Sequence, residues 1–354
     1  MKIFLLLLSV LILCADEVRE YALSKGLRPV PSDFKTLLLE VDDLNNPIKK
    51  EKILLGKKLF FDKNLSLDRT LSCASCHKRE EGGADGLATA IGIAKQKNPS
   101  HLNSPTLFNT AYSKHLFWDG RAKSLREQAS GPIEAPFEMA ATPELVLERV
   151  NENEEYVRVF KDVFSSGVTY ENVTKAIAVY EKTLVTRGRY DLYLEGEDNA
   201  LSKQEKRGLE LFINIGCKSC HYGPVIGGQK MQKFPLRGYH SVIDLTTLYN
   251  EKTHKREFSQ ISLNFKEYRP YPFENRGDFL GKDQTSYFRV PILRNISKTA
   301  PYFHNGAVKT LKEAITIMAK YQLGLDLEEE QTEALEAFLK SLDGELVIYD
   351  FGDE

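Results

Sequence analysis

The sequence predicts a mostly α-helical protein built as two similar halves connected by long irregular loops. Segments with apolar residues at helical spacing alternate with long stretches rich in Gly, Pro and aromatic residues. One order of features occurs once in each half: a helix, a Cys-x-x-Cys-His motif, loops and a closing helix. This repetition indicates an internal duplication at the level of organisation.

The elements of the first half follow from local signals. Residues 16–47 form a leader of weak helical character, and an apolar face then predicts a helix over residues 48–61. Glycines follow the first motif, and residues 91–106 are predicted to be a loop. Thr142, followed by proline, is a good helix start. Residues 171–184 have the apolar spacing of an amphipathic helix.

The second half begins with residues 188–199, which are polar and charged and are predicted to be a linker. Ser202 has a glutamate three residues later, a capping box that opens the helix leading into the second motif. Residues 222–283 are predicted to be mostly loop, with a short hairpin. Helices are predicted over residues 310–323 and about 327–342.

Length and charge limit the functional classes. The chain has 354 residues, enough for two domains of ordinary size. Its formal net charge of -2 gives no indication of nucleic-acid binding. No apolar run of membrane-spanning length follows the N-terminal segment.

The first fifteen residues have the pattern of a signal peptide. Lys2 precedes an apolar run that ends at Leu13, and small or polar residues follow, so we predict cleavage after Ala15. The run is too short to span a bilayer, and a short buried helix is the alternative interpretation. Cys14 leaves open a lipoprotein, although the bulky Leu13 precedes it.

The two motifs carry the chemistry, because Cys-x-x-Cys-His is the attachment signal for a c-type haem. Two thiols three positions apart lie on one side of a helical turn and can reach the vinyl groups of one porphyrin. The histidine then supplies the proximal ligand to the iron. The residues are Cys73, Cys76 and His77 in the first motif, and Cys217, Cys220 and His221 in the second.

Zinc and a redox disulfide are the alternatives for these motifs. Zinc sites usually draw ligand pairs from two separated segments, and a histidine directly after the second cysteine is awkward for that geometry. Disulfides within Cys-x-x-Cys are mostly catalytic, and only Cys14 remains outside the motifs. Two haems in one chain imply electron transfer between them. Because haem is attached outside the bacterial cytoplasm, the motifs and the signal peptide together predict a periplasmic protein.

An ordered set of short sequences across nearly the whole mature chain resembles the bacterial di-haem cytochrome c peroxidases. The wider group includes the methylamine-dehydrogenase maturation enzyme. The matching segments, besides the two motifs, are residues 55–62, 103–106, 117–121, 127–129, 131–133, 137–139, 293–295 and 301–306, and Met318. The resemblance implies two cytochrome c-like domains, each enclosing one covalently attached haem c. The peroxidatic domain would span residues 16–186 and the electron-transfer domain residues 187–354, with a C-terminal tail that can pack back on the first.

The resemblance also implies a function. The protein would reduce hydrogen peroxide to water at the N-terminal haem, with electrons that a small cytochrome c or similar donor delivers to the C-terminal haem. Met318 would be the second axial ligand of the C-terminal iron, and a thioether ligand raises the potential. From the residues alone, Met318 on an amphipathic helix is typical of a core residue.

Three further side chains match active-site residues of the family. Glu138 would be the acid/base, Gln128 would orient peroxide, and Trp118 would lie between the haems near the electron route. From the residues alone, Trp118 is equally a core residue. Glu138 could be a surface charge, although its apolar neighbours favour a semi-buried setting.

The resemblance implies a calcium ion and a homodimer as well. Asn103, Thr299 and Pro301 match positions that ligate calcium between the domains, and oxygen ligands of this kind suit that ion.

The sequence departs from the family at one position of the active site. Many relatives carry a histidine where this chain has Ile93, and that histidine caps the peroxidatic iron in the oxidised state. Either the N-terminal haem is permanently open, which we favour, or His101 or His115 substitutes. Lys309 stands where some relatives have an aromatic residue, which leaves the electron entry route open.

Two other functions remain as alternatives. A di-haem enzyme could oxidise a protein substrate, but relatives of that kind tend to carry tyrosine where this chain has Met318. A pure electron-transfer cytochrome would need neither Glu138 nor Gln128.

Overall fold

The computed structural model describes residues 16–237, 243–263 and 270–347, so the predicted signal peptide and Cys14 lie outside the described residues. The fold is mostly helical, as predicted. The helices are α1 (Glu17–Ser24), α2 (Phe34–Val41), α3 (Lys50–Phe61), α4 (Cys73–Cys76), α5 (Leu125–Glu134), α6 (Pro143–Asn151), α7 (Glu154–Val163), α8 (Tyr170–Lys182), α9 (Arg189–Leu194), α10 (Lys203–Asn214), α11 (Leu311–Met318) and α12 (Glu329–Ser341). The strands are β1 (Thr186–Gly188), β2 (Met231–Lys233), β3 (Ile243–Asn250), β4 (Lys255–Leu263), β5 (Tyr287–Arg289) and β6 (Gly344–Leu346).

The core of the first half is the pair α3 and α8, with α5 packed on α8. Their apolar faces, including Leu59 and Ile177, are fully buried. The two helix axes approach closely at Gly56, where a Cβ atom would lie 2.0 Å from the carbonyl oxygen of Ala176. The helices predicted over residues 48–61 and 171–184 are therefore confirmed. Thr142 caps α6 by accepting from the Leu145 amide at 3.2 Å.

The second half repeats this arrangement with α10 and α12. Gly208 occupies the place of closest approach, where a Cβ atom would lie 1.9 Å from the carbonyl oxygen of Ala334. The predicted capping box is present, because the Ser202 hydroxyl accepts from the Glu205 amide and the Glu205 carboxylate accepts from the Ser202 amide. In each helix pair the two helices approach most closely at a glycine, and this shared arrangement supports the predicted duplication.

The predicted linker over residues 188–199 is wrong, because much of it is helix α9 and lies in the core. Asp191 is buried in a bidentate ion pair with Arg294, with two N–O distances of 2.7 Å. Its carboxylate also accepts from the Val30 amide at 2.8 Å. A charged residue can occupy the core when a partner charge and hydrogen bonds compensate the lost hydration. Composition alone indicates a solvated segment at this place.

The strands are short and connect distant parts of the chain. The described part of residues 222–283 contains the antiparallel pair β3–β4, a longer hairpin than predicted, and β2, which pairs with β5. Strand β6 pairs antiparallel with β1, which brings the C-terminal segment beside the end of the first half. Helix α1 packs on α10 of the second half. The domain boundary at residues 186 and 187 stays a prediction.

No helix in the described ranges is long and apolar enough to cross a bilayer.

Candidate functional site

The first motif lies in a cavity of the first half, which we call the N-terminal cavity. Ser72 and Ser75 cap the short helix α4, since the Ser72 amide donates to the Ser75 hydroxyl at 3.0 Å. His77 donates from Nδ1 to the carbonyl oxygen of Gly83 at 2.9 Å, which leaves Nε2 for a metal. Burial lowers the pKa of His77, so the imidazole is held in the neutral form that binds iron.

The second motif lies in a cavity of the second half, the C-terminal cavity. Its cysteines follow α10 at Gly216, whose φ of 107° lies in the left-handed region. His221 is buried, and burial lowers its pKa to about 4. The carbonyls of Ile226 and Pro291 face this imidazole, although no hydrogen bond of normal geometry reaches its Nδ1.

Met318 lines the same cavity as His221 and both cysteines of the second motif. It is the last residue of α11, and residues 319–323 continue as a single π-helical segment that ends at Gly324, with φ of 69°. Short π-helical segments are frequent at functional sites. The structure therefore brings Met318 to the cavity of the second motif, and its role as an iron ligand stays a prediction.

The residues of both cavities fit a covalently attached haem. Each cavity supplies two free thiols and a neutral histidine, half-buried at His77 and buried at His221, and the walls are largely apolar. Within the described ranges, no group of three or more His, Cys, Asp and Glu side chains converges to hold a metal ion.

The segment that follows the N-terminal motif supplies the other polar groups of the first cavity. Ser124 caps α5 by accepting from the Glu127 amide at 3.2 Å. After α5 the chain turns back on itself, and the Met139 amide donates to the carbonyl oxygen of Pro132 at 3.0 Å. Gln128 on α5 and Glu138 in this turn both line the N-terminal cavity, together with Trp118.

The setting of Glu138 is semi-buried, and burial raises the pKa of its carboxyl group. The Arg121 guanidinium acts in the opposite direction and favours the ionised form. The backbone of Glu138 is braced by the loop before it. Its carbonyl oxygen accepts from the Ile93 amide at 2.8 Å, and a Cβ atom on Gly92 would lie 2.6 Å from its Cα. The segment that carries Ile93 therefore positions Glu138.

Neither histidine considered as a substitute ligand lines the N-terminal cavity. The Nδ1 of His101 lies 3.5 Å from the Thr89 hydroxyl. The Nδ1 of His115 accepts from the Lys123 ammonium at 3.1 Å.

Six residues line both cavities and form a shared wall between them. They are Asn103, Ser104, Pro105, Thr106, Trp118 and Arg289. Trp118 is held on two sides, because its Nε1 donates to the Asn103 carbonyl at 2.8 Å and its own carbonyl accepts from the Arg289 amide at 2.8 Å. Its ring meets the His304 ring edge-on at 6.5 Å between centroids.

The three residues matched to a calcium site, Asn103, Thr299 and Pro301, all line the C-terminal cavity. The Asn103 amide group donates to the Leu87 carbonyl at 2.7 Å, which leaves its side-chain oxygen as an available ligand. The calcium ion itself stays a prediction.

Two charged residues of these cavities were not predicted, Arg289 and Glu181. Glu181 on α8 lines the N-terminal cavity, and its Oε2 has no hydrogen-bond partner within the described ranges. Burial raises its pKa to about 8. The sequence contains a signal for it, because Glu181 continues the buried spacing of Val173 and Ile177 at intervals of four.

We expect Glu181→Gln to stabilise the protein at high pH. The folded pKa of about 8 exceeds the unfolded value of 4.5. The contribution of Glu181 to the free energy of unfolding is therefore fully present below pH 4.5 and is lost as the pH rises through 8. Glutamine cannot ionise, so above pH 8 the variant should gain on the order of a few kcal/mol over wild type. Urea unfolding of the holoprotein at pH 5 and pH 9 measures this. Glu171→Gln, at an exposed site on the same helix, is the control and should show no such gain.

Two cavities with a Cys-x-x-Cys-His motif each define a protein with two c-type haem sites. The model of the di-haem cytochrome c peroxidase family matches residues 50–199. The cytochrome c551 peroxidase of Pseudomonas aeruginosa is 41% identical over 316 residues, which cover 88% of this chain and 84% of the relative. The cytochrome c551 peroxidase of Nitrosomonas europaea is 40% identical over 295 residues, which cover 82% of this chain and 79% of the relative. The chain belongs to the di-haem cytochrome c peroxidase family.

Solved structures agree with this assignment. A MauG-like protein associated with microbial copper homeostasis superposes with a TM-score of 0.69 at 26% identity, covering 91% of this chain and 95% of the other. The diheme peroxidase BthA from Burkholderia thailandensis shares the fold with a TM-score of 0.61 at 21% identity, covering 85% of this chain and 88% of the other. The methylamine utilization protein MauG of Methylorubrum extorquens is a more distant relative, 31% identical over 76% of this chain and 69% of its own. The protein is therefore a di-haem peroxidase.

Proposed function

We propose that the protein reduces hydrogen peroxide to water in the N-terminal cavity, with electrons from a small cytochrome c or a similar donor. The observation that carries the proposal is the convergence of Glu138, Gln128 and Trp118 in the cavity of the first motif. The bound haems supply the irons that exchange electrons with the donor and with peroxide. The side chains of this chain supply the positioning and the proton transfer.

Glu138 is the proposed acid/base. Reduction of peroxide requires that a proton leave one oxygen and reach the other, and a carboxylate within reach of both can move it. Burial raises the pKa of Glu138 toward the working pH, where a group of this kind both accepts and gives up a proton readily. Gln128, from the same cavity, offers an amide donor and an acceptor that orient the substrate.

The C-terminal cavity is the proposed electron-entry site. His221 and Met318 line it together, and they are the residues that would hold the iron of a haem attached at Cys217 and Cys220. Trp118 lies in the wall shared by the two cavities and is the proposed element of the electron route.

The N-terminal haem is proposed to be open to substrate in the oxidised protein. Ile93 cannot ligate iron, and His101 and His115 are both absent from the cavity lining. We expect an electron paramagnetic resonance spectrum of the fully oxidised holoprotein to contain a high-spin ferric signal. The C-terminal haem, with two protein ligands, should give a low-spin signal in the same sample as an internal reference. Two low-spin signals, one of bis-histidine character, would contradict the open site.

The remaining proposals concern setting and assembly. We propose a periplasmic protein exported by a signal peptide of residues 1–15, a calcium ion held with the participation of Asn103, Thr299 and Pro301, and a homodimer. The calcium proposal is supported by the placement of these three residues around one cavity.

The function is tested with purified holoprotein, a reduced small cytochrome c and hydrogen peroxide. We expect two cytochromes oxidised per peroxide consumed, because each peroxide takes two electrons and two protons to form two waters. A protein that carries both haems but shows no peroxide-dependent oxidation with a panel of such donors would refute the proposal.

A further inference from the structure

Arg289 is a buried cation without a partner anion in the part of the chain that the structure describes. Its side chain is 2% exposed, and its Nε has no hydrogen-bond partner. Among the described residues, no carboxylate forms an ion pair with it. Burial alone lowers its pKa to about 10, since no nearby carboxylate offsets the lost hydration.

A second buried arginine of the described second half, Arg294, has partners that compensate its lost hydration. Arg294 is 1% exposed, and it forms the bidentate ion pair with Asp191 and donates from Nε to the Pro224 carbonyl at 2.7 Å. Among the described residues, the partner of the Arg289 guanidinium is the Trp118 ring, 6.0 Å from the guanidinium carbon, which is the outer limit of a cation–π contact. A buried charge is normally paired, so an anion outside the polypeptide is indicated.

The position of Arg289 identifies the class of anion. It belongs to the shared wall and lines both cavities. Among the described residues that line the C-terminal cavity, it is the one Lys or Arg, and no Asp or Glu lines that cavity. A c-type haem is attached through its vinyl groups, so its two propionate carboxylates remain free as anions. Haems attached at the two motifs would both adjoin the shared wall, where Arg289 would be the cation available to their propionates.

We propose that Arg289 binds propionate carboxylates of both haems and thereby raises both reduction potentials together. A guanidinium offers several donors in a planar fork, which suits two carboxylates that approach from different sides. Its positive charge favours the ferrous state of each iron, because reduction removes one positive charge from the haem. Arg289 contacts the haem propionates in this proposal and does not contact peroxide. The inference rests on the proposed attachment of a haem at each motif.

Redox titration of the holoprotein tests this proposal. Arg289→Gln should lower the ferrous-to-ferric ratio of both haems at a fixed applied potential, each by roughly tenfold. For a one-electron couple this equals a fall of about 59 mV in each midpoint potential. Arg289→Lys keeps the positive charge, so the midpoint potentials of both haems should stay close to their wild-type values. Arg121→Gln is the matched control, because Arg121 lines the N-terminal cavity only and should affect the N-terminal haem alone.

Three results would overturn the proposal: a shift at one haem only, no shift at either, or equal shifts in the glutamine and lysine variants. A haem count on wild type and variants separates these from a failure of haem attachment. If Arg289→Gln does not retain its haems, resonance Raman spectra of Arg289→Lys give the answer. The propionate bending bands of both haems should shift from their wild-type positions, and unchanged bands at either haem would refute the shared contact.

Discussion

Replacement of Glu138 by glutamine should lower peroxide turnover by about 10²–10⁴-fold while leaving the absorption spectra of both haems unchanged. Glutamine has nearly the same shape as glutamate but cannot accept and return the proton. Because the carbonyl oxygen of residue 138 is held by the Ile93 amide, the loop should keep its position in the variant. The measurement is the steady-state rate of peroxide-dependent donor oxidation, with haem content and spectra recorded on the same samples.

The pH profile gives this prediction a second readout. A base must be ionised in the free enzyme, so wild-type activity should fall as the pH drops through the raised pKa of Glu138. The variant should lack that acid limb. Glu134→Gln is the matched control, because Glu134 is exposed at the end of α5 and bonds the Tyr170 hydroxyl at 2.9 Å. Full turnover in Glu138→Gln would show that another group moves the proton.

Replacement of Met318 by histidine should lower the midpoint potential of the C-terminal haem by roughly 100–300 mV, within the span of about 0.8 V that axial ligands control. A thioether favours ferrous iron, whereas imidazole favours ferric iron. The donor would then reduce this haem poorly, so turnover should fall although the N-terminal cavity is unchanged. Potentiometric titration followed at both haems measures the effect.

The control for this second prediction is Met231→Leu, which changes a half-buried methionine that lines neither cavity. It should leave both potentials within error of wild type. An unchanged C-terminal potential in Met318→His would show that Met318 only packs in the core, which is what its helical spacing alone indicates.

Several helices could be predicted because their signals are local. Thr142 and Ser202 predict helix starts because each caps its helix by hydrogen bonds within three residues, and both caps are present in the structure. Helix α5 could not be predicted in this way, since Gly131 and Pro132 near its end are typical of a loop. Helix α9 was missed because the partner of Asp191 is Arg294, more than a hundred residues away. Local composition does not contain such a partner.

The candidate site divides in the same manner. Haem attachment is readable from sequence because each motif is one turn of chain, and its spacing alone places two thiols and an imidazole. The resemblance points to Glu138, Gln128, Trp118 and Met318, and the structure brings these residues to the two cavities. Their roles stay proposals. Glu181 and Arg289 were identified from the structure. Helical spacing gives a signal for Glu181 only, whereas burial alone distinguishes Arg289 from an ordinary surface charge.

The sequence by itself therefore determined the cofactor class and the twofold plan of the chain, because both depend on residues within a few positions of one another. The tertiary structure decided which charges lose water and which side chains form the wall between the cavities. Asn103, Trp118 and Arg289 meet there from distant positions. The physical reason is that hydration and long-range contact are properties of the packed chain, and the pKa of a carboxyl or guanidinium group follows from them.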